Sequence, residues 1–441
     1  TFERLDRSSL EHQGSYLMPL LNYFSQSDLS QLKSKEDFIY FNVPLFKTVS
    51  YPFDWIWPMF AIAVILFIGL IFIGFKKRRL QKEDVLKGWL PLLGTVIFSG
   101  GIGFILWKTI LWLYPQYSEI LHGFTYNGHT YIVAFVFITL GICFYIYSKF
   151  YKPGNTASLL VAPIIFWLII CFAIGLKLKG ASFFIIPVYF GLASLFVLIR
   201  QRKPNLALMA LLCFPLITIM SPFVKMFPVG LGLKIIFVSC IITALMFVLL
   251  ISVFGFFRHK RRWSIVMSFI GLCLLISAHF KSDFTKDRQK PNSLVYVLDV
   301  DKNTATWATY DSKLDNWTKN FLGKTPSNAS ELTNITLASK YNTGFTYAKE
   351  APIKPLVYPE VNIIKDTIIG EFRKLSVAVK SNREVDRIDF FAKAQYIFKD
   401  FTINGIPAYK LNKDSYAFEN RIRDRLFTYY VVDEEPVEMV V

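Results

Sequence analysis

Glu119, His122 and His129 share the short stretch EILHGFTYNGHT. A carboxylate with two imidazoles is a donor set for zinc or another transition metal. The seven-residue interval between the histidines fits no rigid helical pair, because side chains meet on a helix only one turn apart. Loop hydrogen bonding therefore competes with metal ligation as the reading of this stretch. His12, His259 and His279 have no second histidine close to them in sequence.

Lys108 and Lys234 stand inside apolar runs. A lysine in that setting prefers a polar cavity or a carbonyl partner, so both are candidates for holding an anionic group or a peptide carboxylate. Lys177 and Lys225 lie near the ends of such runs, where the amine can snorkel to water.

Several chemistries lack their residues. Between Asp84 and Asp283 the only acidic residue is Glu119. Proton- or sodium-coupled transport and intramembrane aspartyl proteolysis rest on carboxylates within the spans, and none is available. HExxH and GxSxG are both missing, which removes an intramembrane zinc protease and a serine nucleophile of that type. SGGIG at 99–103 reads as close helix packing rather than a phosphate loop.

The elements that would position these residues follow from composition. The 441-residue chain is 53% hydrophobic, 17% aromatic and only 18% charged, with a mean hydropathy of +0.40, which is the composition of a membrane protein. About 20 apolar residues span a hydrocarbon core of roughly 30 Å. Eight runs qualify, near 56–75, 89–113, 131–150, 157–176, 181–199, 205–224, 230–256 and 263–280. Tyr51, Trp55 and Trp57 mark the entry to the first with aromatics of the kind that sit at headgroup level.

The net charge of +17 is distributed unevenly. Fifteen basic residues fall in alternate loops, at 76–87, 149–152, 200–203 and 258–262, against Lys177, Lys179 and Lys225 in the others. The positive-inside rule then puts both chain ends outside the cytoplasm. Inner-leaflet phospholipid accounts for these charges, so membrane lipid is expected as a partner and nucleic acid is not. Cys143, Cys171, Cys213, Cys240 and Cys273 all fall in predicted spans at spacings that match no metal site, and read as small packing residues.

Three zones result: a fragment and junction at 1–54, a membrane domain at 55–280 and a second soluble domain at 281–441. In the last, LVYVLDV and TATWATY flank Asp301 to Asn303 as a hairpin. Leu375, Val377 and Val379 alternate with polar residues, and RIDFFAKAQYIF is placed to return as the next strand. Asn404-Gly405 signals a tight turn. The expected fold is a polytopic α-helical membrane protein with about eight transmembrane helices and a β-rich, sandwich-like extracytoplasmic C-terminal domain. The sequons at Asn316, Asn328 and Asn334 serve as loop markers.

The opening stretch, TFERLDRSSLEHQGSYLMPLLNYF, reads as an amphipathic helix entered through a capping box of Ser8 and Glu11, with Leu10, Leu17, Leu20, Leu21 and Phe24 on one stripe and a kink or early end at Pro19. Such a stripe must bury against a partner, either a membrane surface or a globular domain of which this is the last helix. There is no initiator Met or leader, and PVEMVV ends the chain in a strand-like run, so a piece cut at both ends is expected.

The run LDR followed by S-L-x-H-Q-G at 9–14 and a Leu-rich helix resembles the end of the catalytic domain in co-catalytic zinc exopeptidases of the aminopeptidase Y and bacterial leucyl aminopeptidase type. The continuation KEDFIYFNVPLFKTVSYPFDWIWP at 35–58 is similar to the YFN and YP junction of multi-spanning members related to endoplasmic reticulum metallopeptidase. The resemblance implies a peptidase domain before Thr1 carrying two zinc ions, about eight spans, and a β-rich domain on the same side. It assigns no catalytic, cofactor-binding or metal-ligating residue to this chain, since every matching position would precede Thr1.

The implied activity is zinc-dependent removal of N-terminal residues from peptides outside the cytoplasm, with this chain as its membrane and accessory region. Peptide substrate, a second copy or an envelope-complex partner are the expected partners, and a bacterial inner membrane is favoured over the endoplasmic reticulum. Two other readings stand beside it: a carrier or lipid-binding protein built around Lys108 and Lys234, and a structural subunit docking through 281–441.

Overall fold

The structure, a computed structural model, describes residues 7–31, 36–43, 47–201, 203–329, 344–410, 412, 416–422 and 424–441. It divides into two compact units: Thr1–Tyr117 with His122–Asp283, and Ser118–Leu121 with Phe284–Val441.

The first unit opens with helix α1, Arg7–Gln26. Ser8 is its second residue, so it lies within the first turn rather than at the expected cap, and the helix runs on through Pro19. Proline can be carried inside a helix where solvent or side chains take the freed carbonyl. The stripe is unpartnered in this unit: Leu10, Leu17, Leu20, Leu21 and Phe24 are all exposed. A hairpin follows, β1 (Phe38–Val43) and β2 (Lys47–Pro52), antiparallel with Phe38 opposite Pro52. Its alternation turns Ile39 and Phe41 inward, and Phe41 stacks on Phe183 at 5.1 Å. The hairpin thus groups with the helices rather than with a separate fragment ending at residue 54.

Helices α2 (Ile56–Lys76), α3 (Lys82–Lys87), α4 (Trp89–Leu113), α5 (Gly128–Phe150), α6 (Thr156–Lys177), α7 (Ile185–Arg200), α8 (Leu206–Leu231), α9 (Ile236–Leu249), α10 (Ile251–Phe254) and α11 (Lys260–His279) complete the unit. Among the described residues seven helical segments are long and apolar enough to cross a membrane, starting at Phe53, Lys82, Gly128, Thr156, Lys179, Leu206 and Lys260. The expected span at 230–256 differs. It is broken into a turn of 3₁₀ helix at Leu233–Ile235, then α9, then α10.

That segment nevertheless runs from one end of the unit to the other. At its start Leu233 N–H donates to Gly123 O at 2.7 Å, and at its end Gly255 abuts Thr156 at the start of α6. Ten of the residues of α9 are buried, so it is shielded by its neighbours, chiefly α4, α5 and α8. A shielded segment needs less length and tolerates a break. α2 is the opposite case, with only 11% of its most apolar stretch buried.

Small residues let helices approach. A Cβ on Gly103 would meet Cys240 Sγ at 2.8 Å and Phe237 Cα at 3.2 Å, and one on Gly100 would meet Ile241 at 3.0 Å. Gly271 on α11 sits 3.0 Å, by the same measure, from Ala134 O on α5, and Gly141 on α5 faces Ser268 of α11.

In the second unit β3 (Val295–Asp299) and β4 (Thr304–Thr309) form the expected hairpin, with Asn303 at positive φ in its turn. β5 (Ser327–Asn328) and β6 (Tyr347–Glu350) complete a sheet of order β3-β4-β6-β5, with the short helix α12 (Thr318–Leu322) between. β7 (Glu360–Ile369), β8 (Phe372–Lys380), β10 (Thr402–Ile403), β11 (Ile406–Pro407) and β13 (Val437–Val440) form a sheet of order β11-β10-β13-β8-β7, while β9 (Arg387–Phe391) pairs with β12 (Arg425–Tyr430). The tight turn lies where Asn404-Gly405 places it, with both residues at positive φ.

β9 does not return beside β8. That edge is taken by β13, which sets the buried Val437 opposite Val379. Of the sequons, Asn316 lies in a turn, Asn328 on the two-residue strand β5, and Asn334 outside the described residues.

Candidate functional site

Glu119, the lone carboxylate between Asp84 and Asp283, is the centre of a built polar site in the second unit. Its side chain is 2% exposed. Oε1 accepts from Ser312 Oγ at 2.6 Å and from Lys313 N–H at 2.9 Å. Oε2 faces Lys290 Nζ at 3.9 Å and has no hydrogen-bond donor among the described residues.

Lys290 also lies 3.7 Å from Asp311 Oδ2 and 4.0 Å from Asp315 Oδ2, and it donates to Lys313 O at 2.7 Å. Asp311 is 4% exposed in its side chain; Ser293 Oγ donates to its Oδ1 at 2.7 Å. Asp315 Oδ1 accepts from Thr318 N–H at 2.8 Å. Burial pushes the Asp315 carboxyl up, but the Thr318 and Asn292 hydrogen bonds and the Lys290 charge outweigh it and hold the group below the usual range. One amine thus serves three carboxylates at ion-pair rather than hydrogen-bond distance. A cluster of this kind ties segments 118–121, 290–293 and 311–318 together, and is costly to break because its charges are already out of water.

A second polar group lies in the first unit, where α4 and α11 end and α5 begins. Asn127 Nδ2 donates to Tyr117 Oη at 2.8 Å and to Ala278 O at 2.9 Å, while Thr125 Oγ1 donates to Asn127 Oδ1 at 2.7 Å. With one lone pair of Tyr117 Oη taken by Asn127, its hydroxyl is free to donate to Tyr131 Oη, 3.0 Å away. Burial pushes the Tyr117 phenol up. These residues satisfy one another and do not converge on an open cleft.

The other sequence candidates are dispersed. His122 is exposed and its Nδ1 accepts from Phe124 N–H at 3.2 Å; His129 is exposed and packs on the Phe124 ring at 5.0 Å. Loop hydrogen bonding is therefore the reading that fits His122. His12 bonds Tyr16 Oη at 3.1 Å, and His279 Nδ1 bonds Tyr114 Oη at 2.8 Å. Lys108 is exposed on α4 over the Phe104 ring at 5.7 Å, in a shallow groove along one helix face, and Lys234 is exposed as well. Neither reaches an enclosed space. A cavity between Tyr51, Ile56, Cys171 and Ser182 measures about 10 Å³, room for one water. Four cysteines are buried and Cys273 is exposed; all five are free.

Among the described residues no three His, Cys, Asp or Glu side chains gather to hold a metal ion. The resemblance puts its two zinc ions before Thr1, so no step of a hydrolysis is assigned to these residues. Sequence reading found Glu119 and missed Lys290, Asp311, Ser312 and Asp315. The available signal was the pair Asp311 and Asp315, four residues apart in DSKLDNW.

The chain matches no protein family, no curated protein and no solved structure.

Proposed function

We propose that this chain is the membrane-embedded and accessory region of a zinc-dependent aminopeptidase that acts on peptides outside the cytoplasm, its catalytic domain and two zinc ions preceding Thr1. The observation that carries this reading is the junction. The residues of the YFN and YP resemblance, Tyr40 to Asn42 and Tyr51-Pro52, fold as one hairpin whose end leads directly into the first long apolar helix. The second support is the order of parts, a helical unit followed by a β-rich region, which is the layout the resemblance implies.

The helical unit is read as spanning a membrane eight times. Outward residues such as Ile65, Ile68, Phe72, Ile97, Trp112 and Leu211 are each more than 60% exposed, a burden of apolar surface that water does not support in a monomer. The end-to-end run from Leu233 to Gly255 supports an eighth crossing. With eight crossings and the basic loops inside, both ends face away from the cytoplasm.

The carrier reading is less well supported, because Lys108 and Lys234 are both exposed and the groove beside Lys108 is open. The structural-subunit reading keeps one specific support. Edge strand β7 exposes Val361, Ile363, Ile364, Ile368 and Ile369 by more than 60% each, and an exposed apolar edge is a template for strand addition.

The test is to purify the natural full-length protein and assay aminoacyl reporters before chelation, after it and after zinc return. Activity lost with the metal and recovered with about two zinc ions per chain supports the reading. Activity indifferent to zinc, or none in a protein of this chain's mass, overturns it in favour of the structural subunit. In that case an envelope partner should co-purify and be lost with Ile363→Lys and Ile368→Lys.

A further inference from the structure

Four segments that carry arginine or lysine come together at one end of the helical unit. Leu80 packs onto Gly74, which lies against Ile199 at the end of α7. Gln81 N–H donates to Ser158 Oγ at 3.1 Å, and Gly255 abuts Thr156. Lys260 Nζ sits 3.3 Å over the Tyr151 ring and donates to Gly255 O at 2.7 Å and Phe257 O at 2.9 Å. The segments 77–81 and 151–156, the end of α7 at Ile199 and Arg200, and 255–262 are thereby gathered into one rim.

The acids at this end, Glu83 and Asp84 on α3, do not pair with its arginines. Arg78, Arg79, Arg200, Arg258, Arg261 and Arg262 form no ion pair with a described residue, and the only described ion pair at this end is Lys87 with Glu83. Each group of them borders lipid-like surface. Phe72 is 68% exposed one turn before Lys76, Ile265 is 63% exposed one turn after Arg261, and the Arg200 guanidinium lies 5.3 Å over the exposed Phe196 ring. A soluble polyanion would contact the charges alone. A phospholipid leaflet contacts charge and apolar ring together.

We infer that this rim binds the headgroups of anionic phospholipid, with Arg78, Arg79, Arg200, Arg258, Arg261 and Arg262 as its principal contacts. The inference rests on reading the helices as membrane-spanning.

The experiment places the full chain in nanodiscs of phosphatidylcholine, or of an equal mixture with phosphatidylglycerol, and reads retained lipid by native mass spectrometry and the melting temperature in each. Retention of phosphatidylglycerol and a higher melting temperature in the mixture are expected. Neutralising the six arginines to glutamine should lower that retention about tenfold or more, since one basic residue at an anionic surface changes binding several-fold. The triple variants R78Q/R79Q/R200Q and R258Q/R261Q/R262Q, measured separately, give the same test if the sixfold variant does not fold. Lys177→Gln, Lys179→Gln and Lys225→Gln together should leave retention unchanged.

Equal retention in the arginine variants, or equal loss in the lysine control, overturns the inference. So does displacement of the lipid by an oligonucleotide or an acidic peptide. Failure of the membrane reading itself has a separate signature: alkaline carbonate would release the protein from its native membranes without detergent.

Discussion

Ser239 Oγ donates to the carbonyl of Val224 at 2.7 Å, and that carbonyl is the one Pro228 leaves without its helical N–H. A proline inside α8 removes the bond that residue 228 would give to residue 224. In an apolar surrounding the freed oxygen cannot turn to water, so a side chain from α9 takes the place of the missing donor. Both partners are buried. Ser239→Ala should therefore lower the unfolding free energy by about 1 kcal/mol. Pro228→Ala restores the backbone donor, so in that background the loss on Ser239→Ala should shrink to nearly nothing. Thermal unfolding of the unchanged protein and the three variants in one detergent checks it; equal losses in the two backgrounds would show that Ser239 acts by packing instead.

The Lys290 cluster predicts an asymmetry between its partners. Lys290→Met removes the only amine among the described residues that faces Glu119, Asp311 and Asp315, leaving two carboxylates that are almost wholly out of water without a counter-charge from those residues. The cost should be about 3 kcal/mol or more. Glu119→Gln should cost less, because its amide oxygen can still accept from Ser312 Oγ and Lys313 N–H. Making both changes should cost less than their sum. Unfolding followed through the fluorescence of Trp307 and Trp317, which lie in the same unit, gives the three values.

Acid should weaken the second unit. Asp389 is pushed up by burial, but the Thr428 hydroxyl and the Arg387 and Arg425 charges outweigh this and hold its carboxyl below the usual range, as the contacts of Asp315 do for that residue. A carboxyl whose pKa is lower folded than unfolded contributes stability that is fully present above its unfolded value, near 4, and is lost as pH falls through the folded value. Stability of this unit should decline between about pH 5 and pH 3. Asp389→Asn should flatten that decline while lowering stability at neutral pH. A variant with an unchanged pH slope would show that the ion pair persists in the unfolded chain.

What the sequence made legible was local. The apolar runs announced themselves because a bilayer-length helix needs some 20 such residues in a row, and the turns at Asn303 and Asn404-Gly405 because few residues accept positive φ. The hairpin at 38–52 carried the same kind of signal, an inward Ile39 and Phe41 between outward Phe38 and Tyr40, and was missed beside the stronger apolar pattern that follows. What was not legible depends on distance along the chain. Ser312 and Glu119 are 193 residues apart, and nothing in either neighbourhood marks the other. The choice of β13 over β9 as the neighbour of β8 is likewise a competition between distant strands. The break at Leu250 could not be read from hydropathy, because a run that is apolar all round looks alike whether lipid or protein surrounds it.

The glycines of SGGIG sharpen that last point, since three positions on one helix meet different surroundings. Gly103 faces the backbone of α9, where a Cβ would lie 3.2 Å from Phe237 Cα, and Gly100 meets the flexible end of Ile241. Gly101 has nothing within 4 Å. Gly103→Val forces α4 and α9 apart and should cost about 1–3 kcal/mol, the range of an overpacked core. Gly100→Ala should cost less, because a side-chain terminus can rotate away. Gly101→Val should be neutral or slightly stabilising, for a glycine within a helix is the most costly residue in backbone entropy after proline. The order Gly103, Gly100, Gly101 in thermal unfolding is the expected outcome. Should Gly101→Val prove the most harmful, the open side of α4 must be covered by a partner, and the motif would be an assembly surface rather than an internal contact.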